Sequence, residues 1–325
     1  MRIGLLGASR IAPGAVIGPA GMVHGAVVQA VAASDEARAQ AYAKEHDIAH
    51  VAADYAALIA RDDVDLVYNA LPPSGHARWS IGALEAGKHV LCEKPIALNA
   101  EDARSMVAAA ERTGRRLIEA FHYRYHPLFD LVMQTVASGA LGPLRRIDAS
   151  FTVPIDDRPG ELRRTLALGG GALMDLGCYP VHWCRTVAGT EPHVIEARAR
   201  ATTAQVDETM TAELDLGGVR ATVHCSMALD CERGASLAIE GADGRLTVIN
   251  PLAPHVGHRY LLETDGRERS GQVDGEATYV HQLRAVLAAV ADGTPLPTEG
   301  GDTIANMAAI DAIYRAAGLE PRGSA

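Results

Sequence analysis

Short apolar runs recur along the first third of the chain, at Ile3–Leu6, Val27–Ala33, Leu66–Leu71, His89–Cys92 and Arg116–Ala120. Continuous runs of this kind suit strands buried on both faces, as in a parallel sheet. Between them lie alanine-rich amphipathic stretches, Asp35–His46, Tyr55–Ala60, His76–Ala86 and Ala100–Thr113, which predict helices. Asn99 stands where an N-cap would precede Glu101 and Asp102, and Gly87 and Gly114 stand where helices would end. Such alternation predicts a doubly wound parallel sheet.

The rhythm changes after about residue 122. A helix over Pro127–Ser138 leads to a strand over Arg145–Val153, a loop from Pro154 to Gly171 and a helix near Pro180–Val187. From His193 to Ile249, successive strands are broken by Gly217-Gly218, Gly234 and Gly241–Gly244, which predicts an antiparallel sheet with one exposed face. Helices return at Ala277–Ala291 and Thr303–Ala317. The expected fold class is α/β followed by α+β. A nucleotide-binding domain spans 1–122, and a second domain on a large, open, mainly antiparallel sheet spans 123–325. The last helix, 303–317, is a candidate to pack back on the first domain.

Composition narrows the function. A length of 325 residues suits two domains, and 48% hydrophobic with 22% charged residues excludes wholesale disorder, a fibrous repeat and a disulfide-stapled miniprotein. Forty acidic residues against thirty basic give a net charge of −10, which disfavours nucleic acid and membrane surfaces as partners. The five cysteines are odd in number and dispersed, as suits reduced thiols in a cytoplasm. No apolar segment approaches the roughly eighteen residues of a membrane span, and Met1–Gly7 lacks the pattern of a secretory signal. The expected localisation is cytoplasmic.

Gly7-Ala8-Ser9-Arg10-Ile11-Ala12 lies between the first predicted strand and a helix beginning near Pro13. It overlays G-x-G-x-x-G/A, with Ser9 at the second glycine position and Ala12 at the third. Small residues there let the backbone approach a pyrophosphate, which the N–H groups of the helix start then hold. A plain strand-to-helix turn reads the same way. The next strand ends at Ala33-Ser34-Asp35, where a ribose is read. Ser34 with Arg38 nearby favours the 2′-phosphate of NADP. Asp35 favours NAD if it points inward, and otherwise caps the next helix. NADP is the expected cofactor, with NAD the alternative.

Glu93-Lys94-Pro95 follows the strand at His89–Cys92, at the carboxyl edge where open α/β sheets bind ligands. A lysine there can hydrogen-bond a substrate hydroxyl or depress the pKa of a neighbouring acid; a surface ion pair is the plainer alternative. Further on, Gly169-Gly170-Gly171 opens a run ending in Cys178-Tyr179-Pro180. Three consecutive glycines imply close backbone approach to something, or a flexible turn. Pro180 belongs in the first turn of a helix, which puts Tyr179 at its positive end, where an ionised phenol is favoured. Tyr179 is therefore a candidate acid/base, against the ordinary reading of a core-edge tyrosine. Cys178, His182 and Cys184 near Asp175 match no zinc spacing, so no metal is expected.

Taken together, the glycine loop, Leu71-Pro72-Pro73-Ser74-Gly75-His76, Glu93-Lys94-Pro95 and the Gly169–Tyr179 run resemble the glucose–fructose oxidoreductase / inositol dehydrogenase (Gfo/Idh/MocA) family over essentially the whole chain. Glu119–Pro127 resembles the dihydrodiol and D-xylose dehydrogenase branch. The resemblance implies a Rossmann domain and a substrate domain whose open sheet forms a homodimer or homotetramer. It implies hydride transfer between NAD(P) and a secondary alcohol or lactol of a small sugar, polyol or vicinal diol. Lys94 would be the catalytic lysine and Asp175 the aspartate lining the substrate site. Tyr179 stands where many members carry histidine, and takes the acid/base role as in that branch.

The expected cofactor set is Gly7, Ala8, Ser9, Arg10, Ile11, Ser34, Arg38, Leu71, Pro72, His76, Glu93 and Lys94. The expected substrate set is His122, Arg124, Asp175, Tyr179 and His182. His122 stands where the branch commonly has an apolar residue or methionine, which leaves the substrate open. Arg158, Arg163 and Arg164 in the 154–168 loop either clamp an acidic or phosphorylated substrate or are solvated. Two alternatives remain on the same scaffold, a redox-neutral NAD-dependent glycoside hydrolase and a non-catalytic dinucleotide-binding regulator.

Overall fold

In a computed structural model of the chain, the structure describes residues 1–158 and 160–323. Pro159, in the loop predicted over 154–171, and Ser324 and Ala325, at the end of the predicted second domain, lie outside the described residues. The chain divides into two compact units, Met1–His122 with Tyr279–Ile304, and Tyr123–Thr278 with Ala305–Ala325.

The first unit alternates as its apolar runs require: β1 (Arg2–Leu6), α1 (Gly18–Met22), β2 (Val27–Ala32), α2 (Glu36–Glu45), β3 (His50–Val51), α3 (Tyr55–Ile59), β4 (Leu66–Asn69), α4 (Pro73–Glu85), β5 (His89–Cys92), α5 (Ala100–Thr113) and β6 (Leu117–Glu119). The six strands form a parallel sheet in the order β3-β2-β1-β4-β5-β6, the doubly wound order that places a crevice at the carboxyl ends of β1 and β4. Ile3, Leu5, Leu66, Val67, Val90 and Leu91 are wholly buried, which is why these strands read as unbroken apolar runs. Asn99 caps α5 by accepting from the Glu101 and Asp102 N–H groups at 3.0 Å, and Gly114 ends it at φ +64°. The two-residue β3 escapes prediction because it is too short to show a period. α4 starts earlier than expected because Pro73 occupies its first position, where the missing N–H costs nothing.

The second unit comprises α6 (Pro127–Ala137), β7 (Leu144–Thr152), α7 (Cys178–Ala188), β8 (His193–Ala201), β9 (Asp207–Leu216), β10 (Val219–Ser226), β11 (Gly234–Gly241), β12 (Gly244–Ile249), β13 (Arg259–Thr264) and β14 (Arg267–Gly271). Of the two helices that follow in the chain, α8 (Thr278–Asp292) belongs from Tyr279 on to the first unit, and α9 (Gly301–Ala316) belongs from Ala305 on to the second. The eight strands form one sheet in the order β14-β13-β12-β11-β7-β10-β9-β8. It is antiparallel except between β7 and β10, which run parallel because the chain leaves the sheet through α7 before returning. Period-2 burial sends Ile147, Ala149, Met210, Ala212, Leu214, Ala221 and Val223 to the face covered by α7. Arg146, Asp148, Glu213 and Thr222 lie on the other face.

A buried ion pair ties the start of α7 into this sheet. Arg322 and Asp207 meet at 2.5 Å with side-chain exposures of 2% and 0%. The Arg322 guanidinium stacks on the Tyr314 ring at 4.1 Å, and its Nε donates to the Gly170 carbonyl at 2.8 Å. Tyr314 donates to Asp207 Oδ1 at 2.9 Å, and the Leu173 N–H donates to Asp207 Oδ2 at 2.7 Å. The glycine run is close-packed for this reason. A Cβ on Gly171, at φ +143°, would fall 2.1 Å from Asp207 Oδ1 and 2.7 Å from the Tyr314 hydroxyl, and one on Gly170 would fall 2.7 Å from the Arg163 carbonyl. Gly171→Ala is therefore expected to destabilise the protein by about 3 kcal/mol or more, measured by urea denaturation.

Candidate active site

In the first unit, Gly7 turns the chain out of β1 at φ +98°, and a Cβ there would meet Leu71 Cδ2 at 3.3 Å and the Ala70 carbonyl at 3.4 Å. The helix that follows begins as a π-turn over Pro13–Ile17 with no acidic residue in its first turn and, among the described residues, no side-chain cap. Such a start suits an anion. The loop is pinned from α2: Arg38 Nη2 donates to the Ala8 carbonyl at 2.8 Å and the Tyr42 hydroxyl to the Ser9 carbonyl at 2.9 Å. The Ser9 hydroxyl accepts from the Ala12 N–H at 3.3 Å. Asp35 is spent as the N-cap of α2, accepting from the Arg38 N–H at 2.8 Å. At the tip of β2, Ser34 and Arg38 are exposed. A narrow glycine turn, an uncapped helix start and a guanidinium beside them fit a phosphorylated dinucleotide.

The turns after β4 and β5 are joined by His76, whose Nε2 lies 2.7 Å from the Leu71 carbonyl and whose Nδ1 lies 2.9 Å from the Pro95 carbonyl. His76 thus lies between Leu71-Pro72 and Glu93-Lys94-Pro95, and as a neutral imidazole it donates to one of the two carbonyls at a time. Burial pulls its pKa down to about 4, against the opposing pull of these carbonyls. Lys94, in a cis peptide with Pro95, is half-buried. Buried Glu93 accepts from the Tyr68 hydroxyl at 2.5 Å, and burial, then the Glu93 charge, pushes the Tyr68 phenol well above its ordinary range. His122 is buried with its ring centroid 4.0 Å from that of Tyr279, whose phenol is likewise pushed up by burial and Glu93. Tyr68 and Tyr279 escape sequence reading because an isolated tyrosine in an apolar stretch looks like core.

In the second unit, Leu173–Gly177 form a second π-turn that runs without a break into α7. Tyr179 therefore lies more than one turn inside a continuous helix, not at its free end as Pro180 suggests. The wider π-turn accommodates the proline, and the Leu173 N–H at the true helix start is capped by Asp207. Among the described residues 169–185, Asp175 alone is not buried. Arg163 Nε lies 3.3 Å from its carboxylate. Tyr179 is one turn further on, its ring centroid 6.1 Å from Tyr123, 5.8 Å from Phe151 and 6.4 Å from Trp183. His182 is buried, and its Nδ1 lies 2.5 Å from the Tyr123 hydroxyl. Arg124, half-buried, stacks over Phe129 at 5.2 Å.

The three arginines of the 154–168 loop are matched by acids. Arg158 and Arg163 lie 3.5 and 3.8 Å from buried Glu161, and Arg164 meets Glu208 at 2.5 Å and also donates to the Ile155 and Met227 carbonyls. The Arg163–Asp175 pair is a feature that sequence reading missed. Twelve positions separate the two residues, and only the Gly169–Gly171 turn folds one onto the other.

Comparison with known proteins settles the family. A model described as an oxidoreductase family with an NAD-binding Rossmann fold matches residues 1–121, and its C-terminal domain model matches residues 129–247. The chain belongs to the Gfo/Idh/MocA family. D-xylose 1-dehydrogenase (NADP(+)) 2 of Haloferax volcanii is 33% identical over 98% of this chain and 97% of that protein. Trans-1,2-dihydrobenzene-1,2-diol dehydrogenase of Sus scrofa is 33% identical over 69% of this chain and 66% of its own. KijD10, a 3-ketoreductase of Actinomadura kijaniata solved with NADP and TDP-benzene, superposes with a TM-score of 0.89 at 27% identity, covering 97% of both chains. Such relatives favour a Gfo/Idh/MocA dehydrogenase or reductase over the redox-neutral hydrolase and the regulator.

His76 gives this family member a pH signature. Its folded-state pKa lies below the ordinary 6.5, so the unfolded chain takes up a proton that the folded chain refuses. The resulting loss of stability begins as pH falls through about 6.5 and is complete near 4, approaching about 3 kcal/mol. His76→Gln is expected to flatten the fall of urea midpoint between those pH values, even if it lowers stability at pH 7.

Proposed function

We propose that the protein is an NADP-dependent dehydrogenase or reductase of a neutral sugar, polyol or vicinal diol. The glycine loop from Gly7 to Ile11 with the helix start at Pro13 holds the pyrophosphate. Arg38 with Ser34 takes the 2′-phosphate, an assignment aided by the use of Asp35 as a helix cap. The Leu71-Pro72 and Glu93-Lys94 turns, with His76 between them, shape the nicotinamide side. Held there, NADP would supply the hydride acceptor or donor for the substrate carbon.

Tyr179 takes the hydroxyl proton in oxidation and gives it back in reduction, and Lys94 stabilises the tyrosinate and orients the substrate oxygen. Asp175, the one residue of its run that is not buried, accepts from an adjacent substrate hydroxyl. His182 and Tyr123 hold one another behind Tyr179, with His122 and Arg124 as further substrate-side residues. The observation that carries the neutral substrate is the matching of Arg158, Arg163 and Arg164 by Glu161, Asp175 and Glu208, which leaves the 154–168 loop no surplus charge for a phosphate or carboxylate. We also propose assembly into a homodimer or homotetramer through the uncovered sheet face, where Arg146, Asp148, Glu213 and Thr222 offer both charges to a second copy. The five free cysteines suit a reducing cytoplasm.

The decisive test is nicotinamide absorbance with NADP and NAD against aldoses, inositols, vicinal diols and their phosphates. Turnover of a neutral compound with NADP is expected, with Tyr179→Phe and Lys94→Ala each lowering kcat by about 10²-fold or more and NADP affinity holding in Tyr179→Phe. Preference for a phosphorylated substrate would overturn the neutral assignment, and near-full turnover by Tyr179→Phe would overturn the acid/base. Sedimentation should give an even-numbered assembly that reverts to monomer when Asp148 and Thr222 are both replaced by lysine.

A further inference from the structure

We infer that Arg322 is a positioning residue for the substrate-binding turn, acting through Asp207 and Gly170 on Asp175. The inference rests on the reading of Asp175 as a substrate-binding group.

Arg322 reaches the turn by two routes. Its Nε holds the Gly170 carbonyl at 2.8 Å, while the neighbouring glycine N–H groups bind back to the loop, Gly170 to the Thr165 carbonyl at 3.0 Å and Gly171 to the Arg163 carbonyl at 2.9 Å. That route fixes the backbone of Arg163, whose side chain faces Asp175. Through Nη2 it holds Asp207, whose second oxygen takes the Leu173 N–H, and the Gly171 carbonyl accepts from the Asp175 N–H at 3.0 Å. That route fixes the π-turn carrying Asp175. One guanidinium thus sets both partners of the Arg163–Asp175 pair, from a site with 2% side-chain exposure that offers no contact to a substrate in solution.

Stability alone is a poor account of such a pair. Taking two charges out of water offsets most of their attraction, and apolar replacements of equal volume are often as stable. What an apolar pair lacks is direction: it can neither fork to a carbonyl and a carboxylate together nor cap Leu173. Arg322→Lys keeps the charge opposite Asp207 but has no fork with which to hold Gly170 as well.

The test compares wild type, Arg322→Lys, Arg322→Met and Asp207→Asn well below the melting temperature of each. Expected for Arg322→Lys are faster amide exchange over Gly170–Asp175, a fall in kcat/KM for the sugar of about tenfold or more, and an NADP Kd within about twofold of wild type. A purely structural role would lower the melting temperature and leave exchange and kinetics of the folded fraction unchanged. Unchanged exchange over Gly170–Asp175 in both Arg322→Lys and Arg322→Met overturns the inference, whatever happens to turnover. If wild type itself turns over no sugar or diol, the functional reading falls, and the exchange measurement still decides the coupling.

Discussion

The Asp207 carboxylate is surrounded on all sides by partners that depend on it: the Arg322 guanidinium, the Tyr314 hydroxyl and the Leu173 N–H. Burial pushes its pKa above the usual carboxylate range, while Arg322, the Leu173 N–H and the Tyr314 hydroxyl pull it back. The Tyr314 phenol is driven far upward by the same burial, so it stays protonated and stays a donor. Every other property of the α7 start follows from this arrangement. Asp207 approaches Leu173 closely only because Gly171 has no side chain, and Asp175 faces Arg163 only because the turn is pulled down onto Asp207 and Arg322.

The first unit solves a related problem with less charge. Its two ligand-edge turns flank one buried imidazole with a carbonyl each, and its glycine loop is held from behind by Arg38 and Tyr42. In both units, side chains remote in sequence hold a loop by its carbonyl oxygens. That is the economical way to fix an irregular segment, since a backbone carbonyl is present at every residue and must find a donor when buried. It also leaves Lys94 and Asp175, each half-buried, on turns whose backbones are already settled.

The parts legible in the sequence were those with a local cause. Asn99 announces α5 because its cap is made with residues two and three positions on, and the apolar runs announce the parallel sheet because each strand is buried on both faces. Gly7 and the Glu93-Lys94-Pro95 turn were legible for a similar reason. What was not legible depends on partners distant in the chain. The glycine triplet signals a close approach but not to what, since Asp207 and Arg322 lie 36 and 151 positions beyond Gly171 in the numbering. Pro180 pointed to a helix start because proline normally stands there, and the π-turn over Leu173–Gly177, which admits it deeper in the helix, leaves no mark in hydrophobic period. The parallel pairing of β7 with β10 was hidden likewise, because period-2 alternation is the same in either direction.

The matched charges of the 154–168 loop bear on how one scaffold serves many substrates. A family that shares its Rossmann unit must vary specificity in the second unit, where loops are free to change without disturbing a core. Here that loop has three arginines, a composition that on its own suggests an anion site. Glu161 lies buried between two of them, and a buried carboxylate is costly unless it is paired or hydrogen-bonded. Glu161 thereby uses positive charge that a ligand phosphate would otherwise claim, and Asp175 and Glu208 use the remainder. Under the proposed function, what remains for a ligand is the Arg163–Asp175 pair at 3.3 Å, a guanidinium that donates beside a carboxylate that accepts. Discrimination by such a site comes from leaving its polar groups unpaired when the wrong substrate binds, a stronger penalty than any charge on an exposed loop applies in water.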